Sequence, residues 1–261
     1  ILQFLHYHPL ANRTEIMAGL METPSGSTVK RLLSAAVKEG NIETVGRGPS
    51  TKYRLTPQAH VTMPLDLATY FDKDIDERVV QESFNFDLIR EVLPKVEIFT
   101  KEELSVLFAA QKEFEKNTEG MTELEFHKEM ERLGVDLSWK SSQIEGNTYS
   151  LLETERLLKD KQTASGKTKE EAIMLLNHKD ALDFVLDVPD YLKELSVHRI
   201  EDIHSILTKE LEVDRNIRHR RVGITGTNYR PLDNEFQIRE ALEDTCTLVN
   251  GKDNVFEKAL L

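Results

Sequence analysis

The first sixty residues run through three short helical patterns, a glycine stop and two strand patterns, and few small folds satisfy that order. Apolar residues from Ile1 to Tyr7 recur at helical spacing; Asn12 or Thr14 caps a second helix through Leu20; Ser25 or Ser27 caps a third that runs to Glu39. Gly40 closes that helix, and NIETVGRGPSTKYRLT then reads as two strands around a Gly-Pro-Ser turn with Arg47 and Lys52 near its tip. Charge sets the segment apart. Residues 1–60 hold seven Lys and Arg against four Asp and Glu, a surplus of +3, so the overall charge of −12 leaves −15 for the rest. An acidic body of that size repels nucleic acid, which confines any such contact to the N-terminal segment. The boundary is expected near Pro57 to Pro64.

In that order of elements the segment resembles a winged helix-turn-helix domain. The resemblance implies that Ser27, Thr28, Lys30 and Arg31 open a recognition helix and that Arg47 to Lys52 form the wing, the helix entering a DNA major groove while the wing meets phosphates. Winged helices also serve as protein-binding modules, and a surplus of +3 is modest for DNA, so a protein partner stands beside DNA as an expectation.

At 261 residues with 39% hydrophobic content the chain can bury a sizeable core in two or three domains. Its longest apolar runs, such as Val106 to Ala110, fall far short of the roughly 20 residues of a membrane helix, and no signal peptide opens it. A cytoplasmic location without membrane contact is expected. Cys246, the sole cysteine, excludes an internal disulfide or a cysteine-rich zinc site and reads as a reduced, buried thiol. The start at Ile1 suggests that a longer gene product begins upstream. From Leu65 to Trp139 the sequence is helical and charged, with Pro94, Gly120 and Gly134 as breaks; Phe108, Phe114 and Phe126 are expected to pack a core.

The stretch KSSQIEGNTYS, from Lys140 to Ser150, is polar between helical flanks. Ser141 and Glu145 lie four apart, on one helical face one turn apart; Gly146 and Asn147 tolerate left-handed backbone and end the helix, and Thr148 or Ser150 caps the next one, LLETERLLKD. Taken alone, the spacing is that of a surface helix whose glutamate pairs with a nearby lysine. Ser141, Glu145 and Gly146, however, resemble the Ser/Thr-x-x-x-Glu-Gly/Asn inhibitory-helix motif of Fic domain proteins. SSQIEGNTYSLLETERLL, EEAIMLLNHKDALDFV, VHRIEDIHSILTKEL and RNIRHRRVGITGTNYRPL follow in the order of that family, over about residues 130–261.

The resemblance implies transfer of AMP from ATP, with Mg2+ on the phosphates, to a Ser, Thr or Tyr hydroxyl of a target protein. It makes Ser141, Glu145, Gly146 and Asn147 a brake, with Glu145 pairing an active-site arginine and obstructing the γ-phosphate. Val222, Gly223, Ile224, Thr225, Gly226, Thr227, Asn228 and Tyr229 read as a short hairpin; by resemblance this is the flap, whose edge strand holds the target by main-chain pairing and so reads little of its sequence. Arg215, Arg218, Arg220 and Arg221 lack interleaved aromatics and are expected to make local ion pairs or steer a phosphate. No metal-ligand spacing connects His178, His198, His204 and His219, which read as structural, and no metal site is expected in the protein itself.

The family's signature, a histidine followed by an acidic residue and Gly-Asn-Gly/Lys-Arg, supplies a general base beside a phosphate-binding loop. It does not occur in the 261 residues; family order puts it about one helix after the flap, so the catalytic residues are expected beyond Leu261 and the chain reads as cut short. Whether the continuation is intact, degenerate or of a phosphocholine-transferring kind stays open. The fold class expected is mainly α: an all-helical Fic-type bundle with a small β-hairpin flap, plus a winged-helix domain of three helices and a β-hairpin. Its parts are 1–60, a helical region 61–130, and 131–261, with the inhibitory helix at about 138–146 and the flap at about 221–231. The function expected is a self-inhibited protein adenylyltransferase, with a homodimer allowed by the resemblance. The alternative is a DNA-binding or interaction regulator whose Fic region is inactive.

Overall fold

A computed structural model describes residues 1–20, 24–78, 80, 82–213 and 217–261. The protein is mainly helical with one small antiparallel sheet, and its chain divides into two compact units: 1–100 with 224–230, and 101–223 with 231–261.

In the first unit, α1 (Leu2–Tyr7), α2 (Arg13–Ala18) and α3 (Gly26–Lys38) precede β2 (Ile42–Val45) and β3 (Lys52–Leu55), and the two-residue β1 (Ala11–Asn12) lies before α2. The Asn12 side chain accepts from the Thr14 and Glu15 amides while Glu15 reaches back to the Asn12 amide, a reciprocal cap that starts α2. Ser25 caps α3 by accepting from the Thr28 amide. The sheet order is β1-β3-β2, with Ala11 opposite Tyr53 and Ile42 opposite Leu55. Leu5, Ile16, Val29, Leu33, Ile42 and Leu55 form the core beneath it. Gly46 is required at the turn: its φ is +83°, and a Cβ there would sit 2.9 Å from the Ser50 carbonyl oxygen. After α4 (Pro57–Thr62), a reciprocal pair ties the helix to residue 97: the Gln58 Nε2 donates to the Glu97 carbonyl at 2.7 Å, and the Glu97 amide returns to the Gln58 Oε1 at 3.0 Å.

The second unit is built from α6 (Lys101–Thr118), α7 (Glu123–Ile144), α8 (Leu151–Asp160), α9 (Lys169–Asp187), α10 (Val197–Leu207), α11 (Glu235–Gly251) and α12 (Val255–Leu260), with α5 (Leu67–Phe71) a short helix of the first unit. Helix α7 packs on α8 and α9 through Val135, Tyr149, Leu157, Leu158, Ala172 and Leu175. A second cluster of Val197, Ile217 and Cys246 joins α10 to α11. Burial pushes the Cys246 thiol pKa up, which favours the protonated form.

Three expectations differ from the structure. Gly134 does not break its helix; α7 runs through it for 22 residues, because packing over several turns outweighs the cost of about 1 kcal/mol for one glycine. The described residues of 72–100 hold only short helical turns such as Leu88–Val92 rather than continuous helix. Phe108, Phe114 and Phe126 are exposed by 45%, 52% and 39%, and α6 buries no residue. Only Leu104, Leu107 and Thr118 of α6 are partly covered; Phe108 meets Phe256 edge to face at 5.2 Å.

No helix among the described residues is long and apolar enough to cross a membrane.

Candidate functional site

The C-terminal end of α7 is closed by two hydrogen bonds that only one backbone path allows. The Asn147 amide donates to the Ser142 carbonyl at 2.9 Å and the Gly146 amide to the Gln143 carbonyl at 3.1 Å, with Glu145 as the last near-helical residue and Gly146 at φ +90°. Ser141 is half-buried and its carbonyl accepts from the Glu145 amide at 3.4 Å. The chain is then pinned. Asn147, 7% exposed, donates through Nδ2 to the Glu171 carbonyl at 2.8 Å and accepts the Tyr149 amide at 3.0 Å. The sole tryptophan, Trp139, donates from Nε1 to the Tyr149 carbonyl at 3.0 Å.

Glu171 carries the other half of this anchor. Its Oε1 accepts from the Thr148 amide at 2.8 Å and the Thr148 hydroxyl at 2.6 Å, while Oε2 accepts from the Thr168 amide that caps α9. Lys167 Nζ donates to the Thr148 carbonyl at 2.6 Å. The Thr148 hydroxyl above all, then the Thr168 and Thr148 amides, holds the Glu171 carboxyl down to a pKa of about 2.

A carboxylate with a lowered pKa contributes stability that is present above the unfolded value and is lost as pH falls through the folded one. The anchor therefore loosens between pH about 4.5 and about 2. Trp139 fluorescence should shift in that window in wild type. In Glu171→Gln it should be shifted already at pH 7 and stay flat; a wild-type signal constant across the window removes Glu171 from the anchor.

Beyond this anchor, Ile144 is 85% exposed and Glu145 is exposed. The Glu145 carboxylate makes no hydrogen bond or ion pair among the described residues. Its charge acts on His178 of α9, half-buried, whose imidazole pKa is pushed down by burial while Glu145 pulls it up. A cleft of about 720 Å³ between Ile1–Tyr7 and Met63–Lys73 and a shallower one of about 450 Å³ near Gly120 are not lined by Glu145. No group of three potential metal ligands occurs among the described residues.

The expected hairpin at 221–231 forms only its turn. Gly226 takes φ +82° after Thr225, and no ladder joins 222–224 to 228–230. Val222 and Ile224 are exposed by 49% and 55%; Gly223, Thr225 and Asn228 are exposed as well, and Thr227 and Tyr229 are half-buried. The Tyr229 amide donates to the Thr227 hydroxyl at 3.2 Å, a local turn bond that replaces a partner strand. Before it, Arg221 pairs with Asp233 at 2.8 Å, His219 with Glu235 at 3.0 Å, and an Arg218 guanidinium nitrogen donates to the Leu232 carbonyl, so this part of the basic cluster is locally engaged. Arg215 lies outside the described residues.

In the first unit Ser27, Lys30 and Arg31 face solvent, Thr28 is half-buried, and Val29 and Leu33 face the core. Arg47 and Lys52 are exposed on either side of the turn Gly48–Ser50. Sequence reasoning missed Trp139, Tyr149, Lys167 and Glu171. The Thr168-x-x-Glu171 spacing announces the cap of α9, but Thr148, the second partner, is 23 residues away from Glu171. Comparison with protein-family models, with curated proteins and with solved structures finds no match to this chain.

Proposed function

We propose that residues 131–261 are the regulatory and docking part of a Fic-type protein adenylyltransferase, in which Glu145 is the brake. One observation carries the reading: a carboxylate with no hydrogen bond or ion pair among the described residues stands on a helix end whose next four residues are pinned by Asn147, Tyr149, Trp139 and Glu171. A brake needs that combination, since a flexible carboxylate would yield to a phosphate and one already paired with its own neighbours would not be available to an active-site arginine. ATP and Mg2+ belong to the reading only together with the histidine and phosphate loop that the resemblance expects beyond Leu261. The target is a protein hydroxyl, held along residues 222–229. The reading is tested by AMP incorporation from labelled ATP with and without the Glu145 carboxylate.

DNA contact by the first unit is a second reading, favoured by the outward side of α3. Ser27, Arg31, Ser34 and Lys38 lie along one exposed side opposite Val29 and Leu33, with Lys30 at its edge, and Arg47 and Lys52 extend the positive surface. A winged helix uses that side against a groove. Lys30→Ala with Arg31→Ala should weaken DNA binding and lower the salt slope by about one for each phosphate that is no longer neutralised. Binding measured at two salt concentrations decides: an unchanged slope assigns the surface to a protein partner.

A further inference from the structure

A cleft of about 720 Å³ runs between α1 and the segment Met63–Lys73 that carries α5, all within the first unit. Its volume falls in the range of roughly 300–1,000 Å³ that small-molecule sites occupy. Gln3, His6 and Tyr7 line one side at the i, i+3 and i+4 positions of α1, which share a helical face. Leu65, Leu67 and Phe71 line the other and are exposed by 55%, 60% and 61%. Arg78, which is not part of the lining, holds that wall in place. Its Nε donates to the Lys73 carbonyl at 2.9 Å, a terminal guanidinium nitrogen donates to the Phe71 carbonyl at 3.0 Å, and the group lies over the Phe71 ring at 5.3 Å.

Polar groups in the lining are few. It holds one acidic and one basic side chain, Asp66 and Lys73, at opposite ends of α5, and the Asp66 carboxylate already accepts from the Thr69 amide at 3.1 Å and the Thr69 hydroxyl at 2.5 Å. No surplus of side-chain charge favours an ion. His6 is different: its Nδ1 is buried and has no hydrogen-bond partner among the described residues. The ring is set by His60, stacked at 5.2 Å, and by Tyr7, edge to face at 5.0 Å. Burial above all, then His60, pushes its pKa down, which favours the neutral imidazole. An unpaired buried nitrogen in a cleft wall is costly until a ligand pairs it.

We propose that this cleft binds a small neutral molecule with an apolar ring system and one hydrogen-bonding group, the group pairing with His6 Nδ1 while the rings pack on Leu65, Leu67 and Phe71. The test is equilibrium dialysis of the 261-residue chain against β-naphthol and against naphthalene, which has the same rings without the hydroxyl. Wild type should take up a single β-naphthol molecule per chain, saturably, and bind naphthalene about ten-fold more weakly, the factor that one hydrogen bond to a buried group carries. In His6→Leu the two probes should bind alike. Phe71→Ser, at an exposed position, should weaken both about ten-fold by removing apolar wall. Absence of saturable binding, equal wild-type affinities for the two probes, a preference that survives in His6→Leu, or unchanged affinity in Phe71→Ser overturns the proposal. Should His6→Leu lose helix content, the wild-type ratio and Phe71→Ser decide. Neither ATP nor DNA enters these measurements, so failure of the transferase reading leaves them untouched.

Discussion

On the proposed reading, Glu145→Gly should raise AMP incorporation about a hundred-fold in a polypeptide that joins this segment to a Fic-type histidine and phosphate loop. The size follows from charge. A carboxylate about 4 Å from phosphate charge is opposed by about 1 kcal/mol in water and about 4 kcal/mol at an effective dielectric of about 20. Because a factor of ten corresponds to about 1.4 kcal/mol, these bounds run from about five-fold to nearly a thousand-fold. Glu145 faces solvent in the present structure, which favours the lower bound; a nucleotide closed over the helix end excludes water and favours the upper. Glu145→Gln separates charge from bulk, since it keeps the shape and removes the repulsion. The effect should lie in ATP affinity and be read by nucleotide binding as well as by incorporation. A change below about two-fold in both, for both variants, removes the brake from Glu145.

Features whose partners lie within a few residues were legible in the sequence. The caps at Asn12, Ser25 and Ser150 close within three residues, and Gly40 and Gly146 adopt the left-handed backbone their positions suggested. Features that depend on distant chain were not. The two residues of β1 carry no strand signal and pair only because β3 arrives forty residues later. Gly134 reads as a stop locally and is overruled by the packing of Val135 and Ser138 against neighbouring helices. The flap shows the same limit from the other side: Val222-Gly223-Ile224 has the alternation of a strand, yet strand pairing is settled by which main chain lies alongside, and at Arg230 that is Glu82. For the site, Ser141, Glu145 and Gly146 were singled out by a family resemblance rather than by spacing, whereas the anchor beside them could not be, because Tyr149 and Glu171 announce only a core aromatic and a cap.

Tyr149→Ala should be the most damaging single change to the second unit, and it tests whether the anchor and the brake are one device. Tyr149 is 1% exposed, and its ring lies among Val135, Leu157, Leu158, Ala172 and Leu175. Emptying that volume costs about 3–5 kcal/mol, which for a unit of this size lowers the melting temperature by about 10 °C. Tyr149→Phe keeps the ring and loses only the hydroxyl that accepts the Ala164 amide, so it should cost about 1 kcal/mol. Ile144→Ser, on a side chain 85% exposed, should stay within about 0.5 kcal/mol. Thermal melts order the three, and Trp139 emission, tied to the Tyr149 carbonyl, reports whether the loop has moved. If the pinned loop is what keeps Glu145 in place, Tyr149→Ala releases part of the brake with the Glu145 carboxylate intact, measured below its own melting temperature, while Tyr149→Phe and Ile144→Ser leave AMP incorporation at the wild-type level. Full inhibition retained in a destabilised Tyr149→Ala protein would mean that helix α7 alone positions the carboxylate and that the anchor serves folding only.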